Sequence, residues 1–326
     1  MLYFTEAGGV YGLGHIKRFE AFATSLSDLQ LQLVLKRDSS DHLNAGPPDS
    51  VTAAYWSNEN IEKVKELVKS SAGVFIDTYH ASNDVFEVLG GAEKVVAIDD
   101  YLQREWDRGL IVDWTPGAEG RRHQTGDQSL FGSDYYLPRP SLKRARNPEH
   151  RWLTPKKNVY DLAVTTVFGG TDPLDFTPTF HSYLSPFPKS QHIGTSFYPS
   201  SGSPRLKSRC RWDLSEDEFF STIFRSDIVI TAAGQTLYEL AYLGIPSLSF
   251  LTADNQAKEH AQFVVKELTT PLDISALTPD SLKASIEQLY FVNNKLKRNQ
   301  LSESGVGSLS HVLLSHIQEY LDKKGK

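Results

Sequence analysis

Cysteine is almost missing from this chain of 326 residues: Cys210 stands alone, which excludes an intrachain disulfide and a cysteine-based metal site. A single thiol outside any local motif is ordinarily inert. Long hydrophobic runs are missing too. No apolar stretch approaches a membrane span, and the N-terminus has neither the basic segment nor the long apolar core of an export signal. The expectation is a cytoplasmic protein with no stable membrane insertion. Positive charge is not in excess either: a formal net charge of −6 argues against a nucleic-acid partner. The one local basic stretch, Lys143 to Arg146 with Arg151, Lys156 and Lys157, reads as a solvated linker. No internal repeat or low-complexity segment occurs. What remains, 40% hydrophobic and 23% charged residues, is the composition of a soluble globular protein, long enough for two domains with separate cores.

The most informative stretch is Ser226 to Gln256, SDIVITAAGQTLYELAYLGIPSLSFLTADNQ. Ile228, Val229 and Ile230 form a continuous β-branched run, the pattern of a strand covered on both faces in a parallel sheet. It ends in Ala232-Ala233-Gly234-Gln235-Thr236, small residues that gather backbone N–H groups at a helix start, where unpaired donors and the helix dipole favour an anion. A phosphate seat and a plain helix cap both fit this turn. Glu239, three residues after Thr236, either completes a capping box with it or grips a ribose diol with its two acceptor oxygens. Gly244-Ile245-Pro246 stops the helix and Ser247 to Leu251 gives the next strand. Ala253-Asp254-Asn255-Gln256 then sets polar groups at that strand's C-terminal end, the edge at which open α/β sheets bind ligands.

At the other end of the chain, the strand Met1 to Phe4 leads through Gly8-Gly9-Val10-Tyr11-Gly12-Leu13-Gly14-His15 into an amphipathic helix carrying Ile16, Phe19, Phe22, Ala23 and Leu26. Gly12 and Gly14 leave room for a ligand at the backbone. His15 falls at the helix start, where the positive dipole end favours a neutral ring able to accept a proton; a surface or structurally satisfied histidine is the plainer alternative.

Further strands are expected at Leu31 to Leu35, Gly73 to Asp77, Lys94 to Asp99 and Ile111 to Asp113, with a helix over Asn58 to Ser70 capped by Ser57 or Asn58. Strand tips present Asp77-Thr78-Tyr79-His80 and Asp99-Asp100. Tyr79 is either a ligand contact or a packing residue beside a turn-forming Asp77; His80 could pair with His15, although neither sequence separation nor spacing requires it. Two adjacent acids fit helix caps better than a metal site, because no third ligand stands at a useful spacing. Thr115 to Gly132 reads as a long surface loop. Arg139, between Pro138 and Pro140, is either a bidentate donor to a ligand or a solvated arginine. Prolines 138, 140, 148 and 155 mark the boundary, giving domains 1–155 and 156–326. In the second, Leu162 to Phe168 is a strand running into Gly169-Gly170-Thr171-Asp172, and Gln191 to Thr195 a further strand. Helices follow at Leu214 to Phe224, with Asp213 or Ser215 as cap, and at Gln256 to Leu268. Val306 to Leu321 is a closing amphipathic helix.

Three of these motifs, GLGHIKR, VFGGTDP and SDIVITAAGQTLYELAYLGIPSLSF with ADNQ, resemble the UDP-sugar hydrolases of pseudaminic acid synthesis, relatives of the peptidoglycan N-acetylglucosaminyltransferase. The resemblance implies two Rossmann-like domains with an interdomain cleft, the GT-B-like arrangement, with a last helix that crosses back to the first domain. It also implies hydrolysis of UDP-2,4-diacetamido-2,4,6-trideoxy-β-L-altropyranose or a close amino sugar to free sugar and UDP. His15 would activate water; Gly12, Gly14, Arg18, Tyr79, Arg139 and Asn255 would face the sugar or diphosphate. Gly169, Gly170, Thr171, Ala233, Gly234, Gln235, Thr236, Glu239 and Gln256 would hold the nucleotide. No metal or cofactor is implied, and the oligomeric state is left open. The chain departs from the family at Thr5-Glu6-Ala7, where an Arg-Ala-Asp-like segment is usual, and at Asp113, where Asn is common. A glycosyltransferase on the same fold and a non-catalytic nucleotide-sugar binder are the alternatives.

Overall fold

The computed structural model describes residues 1–7, 14–37, 54–100, 104–120, 128–146, 156–292 and 305–323. The chain divides into two compact units, Met1–Arg139 with Gly307–Lys326, and Pro140–Val306. The division falls at 139/140 and not at the expected 155/156.

The first unit contains β1 (Leu2–Ala7), α1 (Gly14–Ser25), β2 (Gln32–Arg37), β3 (Ala54–Tyr55), α2 (Ile61–Lys69), β4 (Val74–Asp77), α3 (Asn83–Gly90), β5 (Val95–Ile98), β6 (Leu110–Asp113) and β7 (Gln128–Phe131). Its seven-stranded sheet runs β3-β2-β1-β4-β5-β6-β7 with parallel pairing throughout. Winding reverses between β1 and β4, whose tips are aligned by the register Thr5↔Asp77. Both faces of β1 are covered. Phe4 packs with Val34, Val74 and Ile76 against Val64, Val85 and Leu89 of α2 and α3. On the opposite face Tyr3 stacks on Phe75 and meets Phe19 and Phe22 of α1 edge-on or tilted. A strand buried on both sides explains the unbroken apolar run.

Two expectations change here. Helix α2 begins later than Asn58 and is capped by Asn60, whose side chain accepts the Lys63 N–H. Asn58 is engaged elsewhere, accepting from Ser82 N at 2.8 Å and donating to the His80 carbonyl at 3.0 Å. Nor is Thr115 to Gly132 all surface loop. Thr115 and Ala118 are buried, and Gln128–Phe131 pairs with β6 as an edge strand too short to show a period. Residues 121–127 lie outside the described part.

The second unit contains α4 (Pro140–Ala145), β8 (Val164–Val167), α5 (Phe176–Tyr183), β9 (Gln191–Gly194), β10 (Cys210–Trp212), α6 (Glu216–Phe224), β11 (Ile228–Ala232), α7 (Gln235–Leu243), β12 (Ser247–Phe250), α8 (Ala257–Val265), β13 (Thr270–Pro271) and α9 (Pro279–Glu287). The six strands are ordered β10-β9-β8-β11-β12-β13, again all parallel. Here winding reverses between β8 and β11. Phe168, Phe180 and Phe250 form an aromatic centre over Ile228, Ile230 and Leu248. Ser215 and Glu218 make a reciprocal capping box at the start of α6. The basic stretch after Pro140 is not a solvated linker along its whole length. In α4, Ser141 donates to Glu216 and Arg144 pairs with Asp217, and just beyond the helix the Arg146 guanidinium lies over the Tyr242 ring. Residues 147–155 lie outside the described part.

A last helix, α10 (Ser310–Asp322), belongs to the first unit, where the Tyr320 hydroxyl accepts the Val95 N–H and Leu313 and Ile317 are buried. Among the described residues no helix is long and apolar enough to cross a membrane.

Candidate functional site

Each unit concentrates its chemistry where its winding reverses, the position at which doubly wound sheets open a crevice beyond the carboxyl ends of their strands. In the first unit that point lies between the tips of β1 and β4. Glu6 comes from β1, His15 and Arg18 from the first turns of α1, Asp77 from the tip of β4, Tyr79 and His80 from the loop behind it, and Asp100 from the tip of β5.

Asp77 is fully buried and accepts from three sides: His15 Nδ1 at 2.8 Å and Arg18 Nη2 at 2.9 Å on one oxygen, and the Tyr3 hydroxyl at 2.9 Å on the other. Burial would push its pKa up, but the charges of Arg18 and His15 and the bonds from His15 and Tyr3 hold it below the usual carboxylate range. Arg18 also lies 2.9 Å from His15 Nδ1. A guanidinium only donates and an ionised carboxylate only accepts, so both nitrogens direct hydrogens at the same Asp77 oxygen. This assigns the tautomer: Nδ1 carries the proton of the neutral ring and Nε2 keeps the lone pair.

Nε2 faces Glu6, with Oε1 at 3.8 Å. Glu6 is itself buried and held by the Thr78 hydroxyl at 2.6 Å, the Tyr79 N–H at 3.0 Å and His80 Nδ1 at 2.8 Å. Burial opposes its ionisation, but the charge on His15 and these donors bring its pKa below the ordinary value. Arg18 completes the cluster by pairing with Asp100 at 2.5 Å and reaching the Tyr79 hydroxyl, which in turn donates to Asp100.

The outcome for the expected residues of this unit is mixed. His15 is only 5% exposed, so it is not a surface histidine, and the Asp77 beside it is a buried partner and not a turn residue. His15 and His80 do not pair directly; Glu6 stands between them. Arg18 directs its guanidinium at Asp77, Asp100 and Tyr79. Arg139 is 8% exposed, which removes the solvated-arginine reading. Asp99 binds Trp106 Nε1 and the Arg104 N–H as a turn cap, and Asp113 does the same for the N–H and hydroxyl of Thr115. Gly14 opens α1, whereas Gly12 lies outside the described residues. Glu6 was missed as a site residue. The expected strand ended at Phe4, whereas β1 runs on through Thr5 and Glu6 to Ala7 and buries the acid.

In the second unit the reversal places two small-residue turns side by side, after β8 and after β11, held by the register Thr231↔Val167. Gly169 has φ +74°, and a Cβ there would meet nothing within 4 Å. Its carbonyl accepts the Tyr198 hydroxyl at 2.8 Å, while that hydroxyl accepts the Phe168 N–H at 3.1 Å. The Gly170 carbonyl accepts the Thr195 hydroxyl at 2.6 Å. Tyr198 and Thr195 thus pin the turn, and no sequence pattern announced them. Asp172 caps α5 through the N–H groups of Phe176 and Thr177 and the Thr177 hydroxyl, leaving Thr171 as the polar side chain of the turn itself.

At the second turn the Thr236–Glu239 capping box is absent: Gly234 is the N-cap, at φ +139°, and makes no side-chain cap. The Ala233 N–H donates to the Phe250 carbonyl and so does not point at a ligand. The N–H groups of Gly234, Gln235 and Thr236 form no hydrogen bond among the described residues, as expected of a helix start. Gln256 accepts from Thr252 and brings its Nε2 to within 3.8 Å of where a Gly234 side chain would begin. Glu239 is buried in the first turns of α7. Asn255 lies on the adjoining 3-10 turn, and its side chain is outside the described part. Among the described residues no three His, Cys, Asp or Glu side chains are grouped as a metal site requires.

No family model matches the chain, and no curated protein matches its sequence. Solved structures do match over nearly the whole length. Acinetobacter baumannii MurG is 12% identical, with a TM-score of 0.60 over 98% of this chain and 99% of that one. LpCGTa in complex with UDP is 9% identical, with a TM-score of 0.64 over 99% of each chain. The UDP-GlcNAc 2-epimerase from Neisseria meningitidis, bound to UDP-GlcNAc, is 11% identical, with a TM-score of 0.53 over 98% of this chain and 100% of that one. At such identities the likeness is one of fold, and the chain has the two-Rossmann-domain GT-B fold. The resemblance to pseudaminic-pathway hydrolases rests on its motifs alone.

Proposed function

We propose that this protein is an enzyme that transfers a glycosyl group from a UDP-sugar to an acceptor hydroxyl, with His15 as general base. The observation that carries the reading is the His15–Asp77 pair, which orients the ring through Nδ1 and leaves Nε2 as the proton acceptor. The acceptor oxygen attacks the anomeric carbon, the bond from that carbon to the β-phosphate oxygen breaks, UDP leaves with the electron pair, and the hydroxyl proton passes to Nε2. Positive charge arriving on the ring is matched by Asp77. The second unit takes the nucleotide. The N–H groups of Gly234, Gln235 and Thr236 and the turn Gly169-Gly170-Thr171 receive the diphosphate, and Glu239 grips the ribose. Gln256 walls the diphosphate turn. In the first unit Gly14 and Arg139 are assigned to the sugar, while Arg18 and Tyr79 act through the carboxylates that they hold. LpCGTa, a match over the whole chain, was solved with UDP, which supports that choice of nucleotide.

Hydrolysis of the same donor is the second reading, favoured by GLGHIKR and VFGGTDP, with water in place of the alcohol. Purified protein incubated with a panel of UDP-amino sugars, with and without acceptor alcohols, separates the two by UDP release. Release only with an acceptor identifies a transferase, and release without one a hydrolase. Saturable UDP binding with no turnover under either condition would leave a nucleotide-sugar binder.

A further inference from the structure

We propose that Glu6 is the positioning residue of the first unit's site: it faces the His15 ring from the side opposite Asp77 and balances the charge that the ring acquires on taking a proton. The inference deepens the reading of His15 as a base and depends on it only for its kinetic consequence.

The argument begins with what surrounds the imidazole. Arg18 of α1, Asp77 of β4 and the Tyr79 ring of the following loop face it on the Nδ1 side and over its plane; the ring centroids of His15 and Tyr79 are 4.7 Å apart. Glu6 of β1 faces it at Nε2. Asp100 and Tyr3 reach it only through Arg18 and Asp77, and His80 only through Glu6. Asp77 divides its charge between the ring and Arg18, whose guanidinium offsets it. Among the described residues the cations paired with Glu6 are His15 itself and His80, whose side chain is 47% exposed, where solvent screens its charge; Lys36, level with Glu6 on β2, directs its ammonium at the His80 carbonyl. Glu6 is therefore the carboxylate whose buried charge acts on the imidazole with the least compensation.

Glu6 is also held in place. Four donors converge on its two oxygens: the Thr78 hydroxyl, the N–H groups of Tyr79 and His80, and His80 Nδ1. They come from consecutive residues of one loop, so the carboxylate cannot rotate away from His15 without breaking several bonds. The 3.8 Å separation from Nε2 is longer than a hydrogen bond. It leaves that lone pair uncommitted to Glu6, while keeping an opposite charge within the range that stabilises an imidazolium.

The test reads His15 directly. In the full chain labelled at histidine, the NMR titration of the His15 ring is followed in wild type, Glu6→Gln and Thr78→Ala. Glu6→Gln removes the charge but keeps an acceptor for the loop, and is expected to lower the midpoint by about one pH unit, a tenfold fall in proton affinity. Thr78→Ala disturbs the same loop and keeps the carboxylate; it is expected to leave the midpoint in place. Where turnover is measured, the acid limb of kcat/KM moves down with the Glu6→Gln midpoint. A midpoint that stays fixed in Glu6→Gln, or moves equally in Thr78→Ala, overturns the proposal. A midpoint that moves as expected while the limb of kcat/KM stays fixed would uphold the role of Glu6 and reject His15 as the base.

Discussion

The two units share one strand order around the reversal of winding and fill it with opposite chemistry. In the first, the crevice edge is built from side chains: Glu6, His15, Arg18, Asp77, Tyr79 and Asp100 form a hydrogen-bonded cluster with charges of both signs. In the second, it is built from backbone: two glycine turns and a helix start, with Tyr198 and Thr195 tying carbonyls back. Side-chain groups exchange protons near neutral pH, whereas peptide N–H groups do not; they offer fixed dipoles to an anion. One topology thus carries titratable side chains in one unit and backbone dipoles in the other, the chemistries on which the proposed proton transfer and diphosphate binding rest. The division of labour resides in the loops and not in the sheets.

The largest effect that can test this contrast is at His15. His15→Ala is expected to lower turnover of the UDP-sugar by about 10³-fold, within the range of general-base catalysis, and to leave UDP affinity within about twofold when measured by calorimetry. Loss of UDP binding in that variant would erase the distinction. Asp77→Asn comes next. Removing one member of a buried ion pair is expected to cost about 3 kcal/mol in urea unfolding, because Arg18 keeps its charge without that partner.

The same cluster should be acid-labile. Folded-state pKa values of Asp77 and Glu6 lie below their ordinary values of 3.8 and 4.5. The unfolded chain therefore binds these protons first, and the stability the two carboxylates contribute is complete above about pH 5 and lost as pH falls through the folded values. Asp77→Asn should flatten that fall; an unchanged acid-unfolding curve would remove Asp77 from the account.

Smaller effects probe the other end. Gly234→Ala places a side chain at φ +139° and is expected to destabilise by about 1–3 kcal/mol and to weaken UDP roughly tenfold, with the His15 NMR titration unmoved. Smallest of all, Tyr198→Phe removes two hydrogen bonds at the Gly169 turn, for a loss of about 1 kcal/mol and a few-fold weaker UDP binding. A Tyr198→Phe variant that binds UDP like wild type would mean the turn needs no pin.

Legibility followed the same division. Ile228 to Ile230, the GGTD turn and the AAGQT turn were readable because a buried parallel strand and the turn that ends it are local patterns. Glu6 passed as a mere departure from a motif, and Asp77 as a possible turn residue. Their roles arise from contacts across 62 residues, Asp77 to His15, and 74 residues, Glu6 to His80, and such separations carry no periodic signal. The supposed capping box at Thr236 failed for a related reason: a glycine at positive φ already serves as N-cap, which spacing alone cannot show. Short β7 and the α4 contacts escaped because edge strands and two-turn helices are too brief for periodicity to register.

Residue order alone was enough for strands, turns and the succession of two α/β halves, since apolar period, glycine and proline act within a few residues. Partnership needed the folded sheets. Only parallel registry brings Thr5 level with Asp77 and Thr231 level with Val167, and only burial then turns a carboxylate, an imidazole and a guanidinium from separate side chains into one coupled group.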